Sequence, residues 1–332
     1  MGFAKAHQFK QTRVWDWARE SWVGDSARAC RRCKREFWAW ARSKQVTFPH
    51  VDQLAKSIAA LHMGAPHVVN SEADMEAPIF LLSTGMRTGS TLLQRILVTD
   101  PRVLLWGEPL GDMALMCRIA EMMSDSISPW NLEQWKNHNP TSSSIATSWI
   151  SDLYPPGEDF RLALRGFFDR WLGEPARQRG FARWGFKEVR LGATEASLLH
   201  WLYPRAKFVV LSRHPYDCYR SGADSNWLLY HRYPDICIDS AAMFAKLWNG
   251  LALSWSELPE GFPSFHIKYE DLMMGKVDFR KLESWLGIEI SEDVALSVNV
   301  GGTAKRPRLS WCERLIIAHE AAAGMHALGY AK

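Results

Sequence analysis

A short apolar run that leads through a glycine-containing loop into a helical pattern constrains the fold of this chain most strongly. Residues 79–82 are four consecutive apolar residues after Pro78, which is typical of a buried strand in a parallel sheet. Beyond the loop at 83–89, leucine and isoleucine recur at helical spacing over residues 90–97, and an Asp-Pro pair then ends the helix. The order strand, glycine loop, helix predicts an α/β domain.

The same loop has the features of a phosphate cradle. A helix N-terminus offers unpaired N–H groups and a positive dipole end, and Gly85 and Gly89 let the backbone close around an anion. The loop is not a Walker A sequence, because the second glycine is followed by Ser90-Thr91 without a lysine, and Arg87 is its one cation. A tight turn in any α/β domain and a nucleotide-dependent kinase are the alternatives, and a magnesium requirement would mark the kinase.

A second segment adds an arginine and a serine at helical spacing after a strand. Strands are predicted at 184–187 and 206–212, with a helix from about 194 to 203 between them. The second of these strands runs directly into Arg213, and Ser221 follows eight residues later.

At these residues the sequence resembles the sulfotransferases that use 3′-phosphoadenosine 5′-phosphosulfate (PAPS). The stretch from Arg87 to Leu93 reads RTGSTLL and is similar to the 5′-phosphosulfate loop of that family. The stretch from Val209 to Gly222 reads VVLSRHPYDCYRSG and is similar to its 3′-phosphate motif. The resemblance covers roughly residues 77–330 and implies a P-loop-like three-layer sandwich, in which helices flank a central parallel sheet.

Motif spacing brings the chain nearest to tyrosylprotein sulfotransferases and their bacterial relatives. The matching positions are Glu108 in WGEP, Lys187 in FKEV, Tyr269 in YEDL and Lys305 in the last glycine loop. Ala304 departs from the pattern, because the tyrosylprotein enzymes have a serine there. A contact on the acceptor side at this loop is therefore not implied.

The resemblance implies a donor site and a sulfuryl transfer reaction. The acceptor would be a hydroxyl or amine of a small molecule, a sugar or a peptide. No metal is expected, because a sulfuryl group carries less charge than a phosphoryl group. The residues that would bind the donor are Arg87, Thr88, Gly89, Ser90, Thr91, Arg213, Ser221, Tyr269 and Lys305.

Glu108 and Lys187 are the predicted catalytic residues. Glu108 follows an apolar run, and its neighbours Trp106 and Pro109 predict an apolar setting for a general base. Lys187 ends a strand and would stabilise charge on the leaving phosphate. The histidines at 214, 231 and 266 are the other bases considered, and His214 is predicted to be structural because it adjoins the 3′-phosphate motif.

Composition and charge divide the chain into two parts. The 332 residues are 47% hydrophobic, contain no apolar run long enough to span a bilayer and begin without a signal-peptide pattern, which predicts a soluble, cytoplasmic protein without a membrane span. Residues 1–45 contain eleven Lys or Arg against four Asp or Glu, together with five tryptophans. We predict a basic, Trp-rich helical extension at 1–76 and a sulfotransferase domain at 77–332, with a helical insertion at about 110–180.

The role of the basic extension is open at this stage. Basic and aromatic residues together can bind nucleic acid or a membrane surface. We instead expect its tryptophans to pack two helices on the catalytic domain or on another subunit in a homodimer, with no nucleic-acid partner. Cys30 and Cys33 are expected to be two thiols on a helix, with a redox role as the alternative. A catalytically silent binding module that uses this extension is the remaining rival.

Overall fold

The apolar run after Pro78 forms the central strand of a five-stranded parallel sheet. Strand β1 is Ile79–Ser83, and all five of its residues are buried. It pairs in parallel with β3 (Arg183–Glu188) on one side and β4 (Lys207–Ser212) on the other. Strand β2 (Val103–Trp106) pairs with β3, and β7 (Ser264–Lys268) pairs with β4, which gives the order β2-β3-β1-β4-β7. The predicted α/β class with a central parallel sheet is confirmed.

The structure is a computed structural model, and it describes most of the chain from residue 27 onwards. The described residues are 27–43, 45–62, 77–110, 113–126, 146–147, 157–223, 232–233, 236–291 and 308–330. Two short antiparallel strands, β5 (Arg232–Tyr233) and β6 (Ile236–Cys237), lie outside the main sheet. Among these residues, no helix is long and apolar enough to cross a membrane.

Helices flank the sheet, and two helices precede it in the described part of the chain. In chain order they are α1 Ala27–Arg42, α2 Pro49–His62, α3 Ser90–Leu97, α4 Leu115–Ser126, α5 Gly157–Phe168, α6 Glu174–Gln178, α7 Ala193–Leu202, α8 Pro215–Ala223, α9 Ala241–Ser256, α10 Tyr269–Met273, α11 Phe279–Leu286, α12 Trp311–Glu320 and α13 Ala322–Ala327. A five-residue π-helix, Asp169–Gly173, joins α5 to α6. A turn at Ala321, where ψ is 6°, separates α12 from α13.

Alternate residues of the central strand enter two different apolar cores. Phe80 lies on one face, with its ring centroid 4.7 Å from that of Phe186 and 5.4 Å from that of Phe208. Leu81 lies in a second cluster with Leu93 of α3 and residues of α11. Burial of both faces explains why the strands are continuously apolar, and it produces the three layers of the fold.

Helix α1 of the extension packs against the catalytic part of the chain through α9 and α12. The Arg32 guanidinium lies 2.7 Å from Glu313 Oε1, and Trp40 Nε1 donates to Glu320 Oε1 at 2.6 Å. Cys33 forms a disulfide with Cys312, so the expectation of two thiols at the C-x-x-C pair is wrong for Cys33. Its partner is 279 residues away in sequence, where the local pattern gives no indication of it.

Candidate active site

The predicted site residues converge at the carboxyl ends of the parallel strands. The glycine loop follows β1, Glu108 follows β2, Lys187 is the second-last residue of β3, Arg213 follows β4 and Tyr269 follows β7. These strand ends share one edge of the sheet because all five strands run in parallel. Ligands of open α/β sheets bind at this edge.

Left-handed backbone shapes the glycine loop. Arg87 has φ of 63° and Gly89 has φ of 93°, and Gly89 immediately precedes α3. A Cβ at Gly89 would lie 2.4 Å from ring carbons of Tyr269, so a side chain at this position would displace that ring. The Thr88 hydroxyl is buried and donates to the Gly85 carbonyl at 3.3 Å. No side chain caps α3, and its first N–H groups are therefore available at the loop.

The side chains of Arg213, which follows β4, and Ser221 on α8 lie beside this loop. The Arg213 guanidinium donates to the Arg87 carbonyl at 3.0 Å, and Arg87 Nε donates to Ser221 Oγ at 3.2 Å. The Arg213 guanidinium carbon also lies 4.1 Å from the centroid of the Tyr269 ring. Two guanidinium groups and a hydroxyl thus meet at a helix N-terminus, which is a favourable environment for a doubly anionic group.

His214 is engaged in the local structure at the start of α8. Its backbone N–H donates to Glu270 Oε1 at 2.9 Å, and its Nδ1 accepts from the Tyr216 N–H at 3.3 Å. Glu270 in turn accepts from the Tyr330 hydroxyl at 3.2 Å. The YEDL segment therefore contributes Tyr269 to the loop and Glu270 to the N-terminus of α8.

A chain of alternating charges surrounds Glu108. Its Oε1 is hydrogen-bonded by the Lys187 ammonium, and its Oε2 accepts from the Arg190 guanidinium at 3.0 Å. The same Arg190 nitrogen lies 3.2 Å from Glu188 Oε1, which also accepts from the Val189 N–H at 2.9 Å. The Glu108 side chain is 31% exposed, whereas those of Lys187 and Arg190 are 8% and 7% exposed. Glu108 is therefore the member of the network that is open to a ligand.

The surroundings of Glu108 differ from the predicted apolar setting. The Trp106 indole is directed away and donates to the Leu172 carbonyl at 3.0 Å, while two cations hold the carboxylate. Arg190 and Glu188 were not singled out in the sequence. The pattern that could have identified them is a pair of charged residues, separated by one residue, at the end of a buried strand.

Glu188 is the most deeply buried charged residue of this network. Its side chain is 0% exposed, and burial raises the pKa of its carboxyl group despite the nearby Arg190. Among the described residues, Glu188 Oε2 has no hydrogen-bond partner. The free-energy cost of burying this carboxyl group is partly offset by Arg190 and by the Val189 N–H, which both bind the other oxygen, Oε1.

Several predicted residues do not join this arrangement. Lys305 and His231 lie outside the described residues, as does part of the predicted insertion at about 110–180. His266 is exposed on β7, where its Nε2 lies 3.2 Å from Ser264 Oγ. Within the described segments, no group of three or more His, Cys, Asp or Glu side chains could hold a metal ion.

Comparisons with known proteins relate this sequence to one protein family. A family model described as "Sulfotransferase family" matches residues 78–292. Similar solved structures include the sulfotransferase domain of the curacin biosynthetic pathway, with 17% identity, a TM-score of 0.40, and coverage of 77% of this chain and 98% of that one. A sulfotransferase of Mycobacterium avium shows 15% identity and a TM-score of 0.41, and the match covers 92% of this chain and 93% of that one. A sulfotransferase from Alicyclobacillus acidocaldarius shows 14% identity and a TM-score of 0.40, and the match covers 77% of this chain and 97% of that one. No curated protein matches the sequence significantly.

Proposed function

The chain belongs to the sulfotransferase family, and from this premise we propose that it transfers a sulfuryl group from PAPS to an acceptor hydroxyl or amine. The acceptor is a small molecule, a sugar or a peptide. The observation that carries the choice of donor is the convergence of Arg87, Arg213 and Ser221 beside the glycine loop. A donor with phosphate groups at two positions would use both the loop and this second anion site.

The donor would bind with its 5′ end at the glycine loop. The first N–H groups of α3, with Ser90 and Thr91, would hold the 5′-phosphosulfate. Arg213 and Ser221 would hold the 3′-phosphate, a group that ATP and GTP lack. Arg87 lies between the two sites, since its carbonyl contacts Arg213 and its side chain contacts Ser221. The Tyr269 ring packs against the Arg213 guanidinium and helps to hold it in position.

Glu108 and Lys187 would perform the transfer at the neighbouring strand ends. Glu108 accepts the proton of the acceptor O–H or N–H as the acceptor atom bonds to sulfur and the bond from sulfur to the bridging oxygen breaks. Lys187 stabilises the negative charge that develops on the departing phosphate. The products are the sulfated acceptor and 3′-phosphoadenosine 5′-phosphate (PAP). Arg190 keeps the Glu108 carboxylate at the strand ends when Lys187 turns to the donor.

The test of this proposal measures the melting temperature with PAP and with ADP in the presence of a metal chelator. At about 100 times its dissociation constant, PAP should stabilise the protein by roughly 2.7 kcal/mol, and ADP should do far less because it lacks the 3′-phosphate. Arg213→Gln should abolish this preference. Arg170→Gln is the matched control, because that side chain is 81% exposed and pairs only with nearby Glu174 in the described structure. Equal stabilisation by ADP, or a strict magnesium requirement, would favour a kinase.

A further inference from the structure

A cleft next to the Glu108 network contains a cysteine, a histidine and a glutamate that the proposed reaction does not use. Cys117 is on α4, His50 is on α2 and Glu195 is on α7, and leucine and methionine side chains form much of the remaining lining. Arg190, which binds Glu108, also lines this cleft. Three separate elements therefore bring a thiol, an imidazole and a carboxylate to one place.

The imidazole and the carboxylate form a buried, fixed pair. His50 Nε2 lies 2.7 Å from Glu195 Oε1, and the two side chains are 10% and 3% exposed. The other carboxylate oxygen of Glu195 accepts from the Gly192 N–H at 2.9 Å. Glu195 is thus held by the N-terminus of its own helix, and it fixes the orientation of the His50 ring.

Cys117 lines the same cleft as this pair. Burial alone would lower the pKa of His50, but hydrogen bonds to Cys117 and Glu195 and the charge of Glu195 outweigh burial and raise it to about 10. The ring is therefore positively charged at neutral pH. A thiol, a histidine and an orienting carboxylate that line one cleft are the arrangement of an activated nucleophile.

We propose that Cys117 is a reactive modification site that takes low-molecular-weight disulfides into this cleft. The Cys117 sulfur attacks one sulfur of the disulfide, a new S–S bond forms, and the S–S bond of the reagent breaks. Cys117 is oxidised, and the departing sulfur is reduced and leaves as a thiol with the proton that Cys117 loses. The His50 imidazolium stabilises the negative sulfur during the attack.

Two other free cysteines, Cys218 and Cys237, provide internal comparisons. Cys237 is exposed, whereas Cys218 is buried, and burial strongly raises the pKa of the Cys218 thiol. Accessibility alone would rank Cys237 first, because Cys117 is only partly exposed. The geometry around His50 instead ranks Cys117 first, which makes the two explanations distinguishable.

The experiment follows alkylation of the full chain by iodoacetamide at neutral pH, with site-resolved mass spectrometry. Cys117 should react roughly tenfold faster than Cys237, and His50→Gln should remove most of that advantage while the Cys237 rate stays unchanged. Protection of Cys218 reports that each variant is folded. If His50→Gln does not fold, Glu195→Gln tests the same pair. Equal rates at Cys117 and Cys237, or a Cys117 rate unaffected in a folded variant, would overturn the proposal.

A second measurement uses oxidised glutathione and rests on the proposed function for its activity readout. A mixed disulfide should form at Cys117, and it should lower sulfuryl transfer because the adduct crowds Arg190 beside Glu108. Reductant should restore transfer, and Cys117→Ser should be insensitive. A fully modified protein with unchanged turnover would overturn the link to catalysis. The alkylation rates need no activity, so failure of the sulfotransferase assignment would be recognised separately.

Discussion

Replacement of Gly89 by alanine tests how the glycine loop is held together. A non-glycine residue at φ of 93° is strained, and left-handed backbone costs an L-residue about 1–2 kcal/mol. The new Cβ would also lie 2.4 Å from carbons of the Tyr269 ring. The ring must therefore move away from its contact with the Arg213 guanidinium. Loss of this cation–π contact costs about 0.5–1 kcal/mol more. Backbone strain is present in the free and the bound protein alike, so only the cation–π loss should weaken PAP binding, which corresponds to roughly a 2- to 5-fold rise in Kd.

Gly180 provides the matched control for backbone strain. It has φ of 86°, and a Cβ there would meet no atom within 4 Å. It precedes β3, and it therefore lies at the opposite edge of the sheet from the candidate site. Gly180→Ala should lower the melting temperature through strain alone and leave the Kd for PAP unchanged.

The assay is isothermal titration of PAP into each variant, with melting curves recorded in parallel. A double-mutant cycle with Tyr269→Ala isolates the steric part, because removal of the ring should reduce the binding cost of Gly89→Ala. Wild-type PAP affinity in Gly89→Ala would refute the reasoning. An equal loss of affinity in Gly180→Ala would show that strain, rather than the position of Tyr269, controls binding.

Other perturbations test the remaining features. Cys33→Ser removes the disulfide and should destabilise the oxidised protein by about 2–4 kcal/mol, with no difference from wild type when both are melted under reducing conditions. The folded-state pKa of His50, about 10, lies above the ordinary value of 6.5, so its contribution to stability is full below pH 6.5 and is lost as pH rises towards 10. His50→Gln should flatten this part of the melting-temperature profile, and an unchanged slope would contradict it. Lys187→Ala should suppress transfer, and the defect should shrink with a donor whose leaving group is more acidic, whereas a Glu108→Gln defect should not.

Local sequence pattern predicted much of the sheet and the glycine loop. Strand β4 differs from its predicted bounds by one residue at one end, and β3 differs by one residue at each end. These strands are buried on both faces, so their apolar runs are clear and their ends are marked by polar residues. The order of strands in the sheet was not predicted, since apolar runs alone do not specify which strands are neighbours.

Contacts between distant segments could not be predicted from local pattern. The disulfide between Cys33 and Cys312 joins residues that are 279 positions apart in the sequence. The contact between His50 and Glu195 joins residues of two helices that are 145 positions apart. Arg190 was missed as a partner of Glu108 for a similar reason, because it follows a different strand. Neighbouring Trp106 and Pro109 suggested an apolar setting, whereas tertiary structure determines which charges surround the carboxylate.

The central claim is that Glu108 accepts a proton during sulfuryl transfer from PAPS. The most direct measurement incubates wild type and Glu108→Gln with PAPS and a panel of hydroxyl and amine acceptors, and detects by mass spectrometry a gain of one SO₃. Wild type should sulfate at least one acceptor, and with that acceptor Glu108→Gln should have kcat lowered by about 10²- to 10⁴-fold with PAP affinity nearly unchanged. Wild-type turnover in Glu108→Gln, measured where chemistry limits the rate, would contradict the account.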